Sequence, residues 1–137
     1  MGRILAVDDE LDMLTLIRMI IEGYSNHQVM TTNNPLEVAD LLTEEQFDLI
    51  ITDLKMPGMD GMELLELARK YDKDALILMV TAFGSLESAE EAVRKGAFDY
   101  LSKPFRKEQL LLAIDKAMRW REMALQNKEL KQRLEGE

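Results

Sequence analysis

Five polar residues close short apolar runs, and together their types could transfer a phosphoryl group. Asp8 and Asp9 end AVDD, Asp53 ends LIITD, Thr81 ends LILMVT, and Lys103 lies in YLSKPF. Carboxylates about 5 Å apart repel by roughly 3 kcal/mol per pair at an effective dielectric near 20. Protonation would offset that repulsion, and so would a hard divalent cation. Oxygen ligands without Cys or His suit Mg²⁺ or Mn²⁺. A cation beside an ammonium and a hydroxyl makes a place for phosphoryl oxygens and leaves one aspartate free as nucleophile. Taken singly, each residue has a plainer reading. Asp53 is then a loop acid, Thr81 a helix cap or β-branched strand residue, and Lys103 a solvated cation. Only their joint placement favours chemistry.

That placement depends on the elements. Arg3–Val7, Gln28–Thr31, Leu49–Thr52, Leu76–Thr81 and Phe98–Ser102 read as strands. Three are apolar nearly end to end, as parallel strands covered on both faces must be. Helical patterns lie between them near Glu10–Glu22, Pro35–Glu44, Gly61–Lys70 and Leu86–Lys95, and a long one starts about Lys107. Asn34-Pro35-Leu36-Glu37 offers an N-cap, a proline at the first helical position and a glutamate reaching back. Asp60-Gly61-Met62-Glu63 repeats that logic, and Gly96 after Arg94-Lys95 suits a helix C-terminus. Five β-α units predict a doubly wound α/β sheet, since parallel strands need long crossovers. Such sheets place functional groups at the carboxyl ends of strands, where all five polar residues fall.

Composition narrows the function classes. The chain has 137 residues, no cysteine and one histidine, His27, which reads as a surface residue without a role. Disulfides, thiolate metal sites and histidine-rich sites are excluded. Twenty-six acidic against 17 basic residues give a formal net charge of −9, which should repel nucleic acid. No apolar run approaches the roughly 20 residues of a membrane span, and no signal-peptide pattern opens the chain, so a cytoplasmic location is expected. The methionines, among them Met13, Met19, Met62 and Met79, read as core filler.

The Asp8-Asp9 pair, Asp53 in DLKMPGMDG, Thr81 in VTAFGS and Lys103-Pro104 in YLSKPF resemble the receiver domain of two-component response regulators. The resemblance spans roughly residues 3–118. It implies a flavodoxin-like, five-stranded parallel sheet of order 2-1-3-4-5. It also implies that Asp53 takes a phosphoryl group from a sensor histidine kinase in a Mg²⁺-dependent reaction. Asp9, Asp53 and the Lys55 carbonyl would hold the metal, with Asp8 acting through water. Lys103 would pair with the phosphoryl group and Thr81 would swing its hydroxyl onto it. Tyr100 would rotate inward as a switch, changing the face made by the fourth helix, fifth strand and fifth helix. The Lys103–Pro104 bond is expected to be cis. The domain would catalyse only its own phosphorylation and dephosphorylation. Lys55 and Phe83 flank the path of an attacking water, and neither orients water well, so a slowly hydrolysing phosphoaspartate is expected.

Beyond the receiver, Trp120, Met123, Asn127, Leu130 and Leu134 fall at 3-4-3-4 spacing, the seam of a coiled coil. Asn127 at an a position would favour a parallel homodimer in one register, although e/g charge pairing is weak and a solvated extension is the simpler alternative. Residues 119–137 are thus expected to be a helical linker to an output domain. The phrasing TAFGSLESAEEAVRKGAFDYLSKPF is similar to NtrC-type transcriptional activators, while coiled linkers also lead to diguanylate cyclases. A flavodoxin would need a phosphate loop where Asp8-Asp9-Glu10 stands. A haloacid-dehalogenase-type phosphatase would need D-x-D after the first strand. A receiver that has lost phosphorylation and serves only to bind partners is opposed by the intact acid set.

Overall fold

The computed structural model describes residues 2–82 and 86–136. Five parallel strands form one sheet: β1 (Arg3–Val7), β2 (Gln28–Thr32), β3 (Leu49–Asp53), β4 (Leu76–Ala82) and β5 (Asp99–Lys103). Their order is β2-β1-β3-β4-β5, the expected doubly wound arrangement. Between them run α1 (Leu11–Tyr24), α2 (Val38–Glu44), α3 (Gly61–Tyr71) and α4 (Leu86–Arg94), and α5 (Lys107–Glu135) follows the last strand.

Each strand feeds two cores, which explains the continuous apolar runs. Ile4, Ala6, Leu49, Ile51, Leu78 and Val80 pack towards α1 and α5. Their neighbours Leu5, Val7, Ile50, Ile77 and Met79 face the other way, towards α2, α3 and α4. Burial on both faces holds β3 and β4 rigid beneath the residues at their upper ends.

Local chemistry sets the helix starts. The Asp60 carboxylate accepts the Glu63 N–H at 2.8 Å while Glu63 accepts the Asp60 N–H at 3.4 Å, completing the box at α3. The matching box at Asn34 does not form. Residues Pro35–Glu37 instead make a short 3-10 turn ahead of α2. Thr32 takes both partners, accepting the Asn34 N–H at 3.1 Å and donating to Glu37 at 2.9 Å. Asn34 then caps the Leu36 amide. At the end of α4, Gly96 has φ +124°, which a side chain would strain.

Two smaller expectations also change. His27 is half-buried and accepts the Gly2 N–H on Nδ1 at 2.8 Å, so it helps fasten the start of β1. Met79 is core, but Met19 is 65% exposed on α1.

Candidate functional site

The carboxyl ends of β1, β3, β4 and β5 bring the candidate residues to one rim. Asp8 follows β1 directly, and Asp53 is the last residue of β3. Thr81 is buried near the end of β4, where it pairs with Ser102, and Lys103 is the last residue of β5. The Lys103 ammonium joins the set: Nζ donates to Asp8 Oδ2 at 2.9 Å and to Asp53 Oδ2 at 3.0 Å. These groups are 50 and 95 residues apart in the chain, so the contact is a product of the sheet order alone.

The remaining carboxylate oxygens are held by backbone. Asp8 Oδ1 accepts the Glu10 N–H at 2.9 Å, and Asp53 Oδ1 accepts the Lys55 N–H at 3.2 Å. The loop after β3 is shaped for this. Gly58 has φ +88° and Gly61 donates its N–H to the Leu54 carbonyl at 2.8 Å. A Cβ on Gly61 would lie 2.9 Å from the Asp53 carbonyl oxygen and 2.8 Å from Met79 Sδ. Glycine at 61 therefore lets the start of α3 close onto the end of β3.

Electrostatics follow from burial. Burial pushes the Asp8 carboxyl above its ordinary value, and the Glu10 amide and Lys103 only partly oppose this. Burial alone would lower Lys103, but hydrogen bonds and charge from Asp8 and Asp53 outweigh it and raise its pKa. One carboxylate oxygen from each of Asp8, Asp9, Glu10 and Asp53 lies within 4.8 Å of the others. Four oxygen donors of this kind fit a hard divalent cation. Glu10 joins this cluster although the sequence reading left it out; AVDDE contained the signal, but the third acid looked like the start of a helix.

The other expected residues are placed as follows. Lys55 is exposed, with its amide on Asp53. Tyr100 is half-buried on β5 against the α2–α4 side of the core. The Lys103–Pro104 peptide is cis. Phe83 lies outside the described residues. Trp120, Met123, Asn127, Leu130 and Leu134 are exposed along α5, with the Trp120 ring 6.4 Å from that of Phe98. Arg121, which sequence reasoning passed over, is buried at the opposite pole of the sheet.

Comparison with known proteins agrees with this geometry. Residues 4–115 match the family model of the response regulator receiver domain. Transcriptional regulatory protein ZraR of Klebsiella oxytoca is 34% identical over 115 residues, covering 84% of this chain. The chain spans only 26% of the length of that relative, one of several NtrC-type regulators among the matches. Sporulation initiation phosphotransferase F of Bacillus subtilis is 34% identical, with 83% of this chain and 91% of the relative covered. A receiver domain protein from Clostridium thermocellum superposes with a TM-score of 0.84 at 32% identity, covering 90% and 99% of the two chains. With its acids, lysine and sheet order in the receiver arrangement, the chain belongs to the response-regulator receiver domain family.

Proposed function

We propose that this receiver accepts a phosphoryl group on Asp53 from the phosphohistidine of a sensor kinase. The observation that carries the reading is the Lys103 ammonium shared between Asp8 and Asp53 at 2.9 and 3.0 Å. In the transfer, an Asp53 carboxylate oxygen attacks phosphorus as the P–N bond breaks, and the released imidazole nitrogen takes a proton. Lys103 holds Asp53 in place and offers its charge to the incoming phosphoryl oxygens. Asp8, Asp9 and Asp53, joined by Glu10, would hold Mg²⁺ or Mn²⁺, with the Lys55 carbonyl as a further ligand. The bound metal would neutralise charge on the phosphoryl oxygens. Thr81, buried one residue beyond the β4 partner of Asp53, would move its hydroxyl onto the new group. Tyr100 and the α4-β5-α5 face would then change with it.

The downstream consequence is a change of assembly governing an output domain, and transcription is the output that the regulators among its relatives favour. The stripe Trp120–Met123–Asn127–Leu130–Leu134 would serve a parallel homodimer. Incubation with Mg²⁺ and acetyl phosphate should add one phosphoryl mass to the wild type and none to Asp53→Asn. Sedimentation with beryllofluoride, which stands in for the phosphoryl group, should change the mass of the wild type alone. An Asp53→Asn protein that still gains the phosphoryl mass would refute the assignment.

A further inference from the structure

Arg121 is the one buried cation among the described residues, and it sits far from the phosphoacceptor rim. Its guanidinium meets acids from two loops at the lower edge of the sheet. Nη1 lies 2.8 Å from Asp72 Oδ2 and donates to the Asp74 carbonyl at 2.9 Å, and Nε donates to Asp48 Oδ1 at 3.4 Å. The receiving loops are organised without it. Asp48 Oδ2 accepts the Arg3 N–H at 2.9 Å, and Asp72 Oδ1 accepts the Asp74 N–H at 2.9 Å. Asp72 Oδ2, by contrast, is buried with no hydrogen bond of its own, so the nearby guanidinium is what balances it.

The surroundings extend the contact. Lys128 Nζ lies 3.6 Å from Asp74 Oδ2, one heptad further along α5. At about 100° per residue, seven positions return to nearly the same side of a helix. Met123, Asn127, Leu130 and Leu134 lie about 180–240° round from Arg121 on that count. The helix thus carries one face bound to its own domain and an apolar stripe on the other side.

We propose that Arg121 is a positioning residue: its clasp on Asp48, Asp72 and the Asp74 carbonyl makes α5 one rigid body with the receiver as far as Lys128. The acids it holds stand directly below β3 and β4, the strands that end in Asp53 and Thr81. The inference rests on the clasp geometry and is independent of phosphotransfer.

Nitroxide labels at Glu66 on α3 and Gln132 on α5 test it, with labelled chains diluted into unlabelled ones so that distances within one chain are read. The wild type should give one narrow distance distribution. Arg121→Gln should broaden it while helix content and the unfolding midpoint of the sheet stay close to the wild type. Amide exchange over residues 122–135 should rise about tenfold or more in that variant. Arg121→Lys, which keeps the charge but loses the fork, should fall between them. Asp72→Asn removes the charge from the loop side and should broaden the distribution too, which covers the case of an Arg121 variant that does not fold. A broad distribution in the wild type, or a narrow one in both Arg121→Gln and Asp72→Asn, would overturn the proposal.

Discussion

Replacing Lys103 with methionine keeps most of the side chain's length and removes the only charge among the described residues that touches both Asp8 and Asp53. Their oxygens lie within 4.8 Å of each other. At an effective dielectric of about 20 this leaves about 3 kcal/mol of repulsion without a counter-charge. The sign with pH follows from Asp8. Its folded pKa already stands above the reference of 3.8, so its ionisation costs stability as pH rises from 3.8 through that higher value. Losing Lys103 removes a hydrogen bond and a charge that pull Asp8 down, so the decline should grow and extend to higher pH. Lys103 itself favours the fold at any pH below its reference of 10.5, and that contribution fades as pH passes its raised folded value. Urea unfolding of both proteins from about pH 4 to about pH 8 should show the variant less stable by about 2–3 kcal/mol at the upper end. The gap should narrow at the acid end and close partly when Mg²⁺ is added, since the metal replaces the missing charge. A deficit that is the same at both ends of the range would mean that lost packing, not carboxylate repulsion, sets the cost.

Three other outcomes are expected. Gly61→Ala should destabilise by about 1–3 kcal/mol and slow phosphorylation by acetyl phosphate, because the new methyl meets the Asp53 carbonyl; unchanged rate and stability would count against that contact. Asp60→Ala should lower stability by about 1 kcal/mol in the same unfolding assay through loss of the α3 cap, with little effect on metal affinity. Phe83→Glu should shorten the phosphoaspartate lifetime by roughly tenfold or more by adding a group that can orient water, as followed by loss of the phosphoryl mass with time.

Much of the upper rim was legible because strand ends and turn residues are local signals. LIITD followed by Leu-Lys-Met-Pro-Gly places Asp53 without knowledge of any partner, and the sheet order then brings Lys103 to it. Asn34 shows the limit of local reading. Its N-cap and its proline form as the sequence suggests, but the glutamate does not reach back: Thr32, two residues earlier, accepts the Asn34 N–H and donates to Glu37 instead. Arg121 was illegible for another reason. Its partners lie 47 to 73 residues earlier, and in the sequence it is one of several basic residues on a polar helix. His27 was misjudged similarly, since the Gly2 amide it accepts is 25 residues away.

The seven-residue interval between Arg121 and Lys128 gives the long helix an azimuth as well as a length. A rod pinned at two points on one side cannot spin about its own axis, so anything joined to its distal turns inherits a bearing from the sheet. Each residue inserted beyond the clasp would rotate that bearing by about 100° and advance it by about 1.5 Å. Insertions of seven would nearly restore the bearing, while insertions of two would point the distal turns to the far side. Spacing along this helix is therefore a gear setting, read in whole heptads.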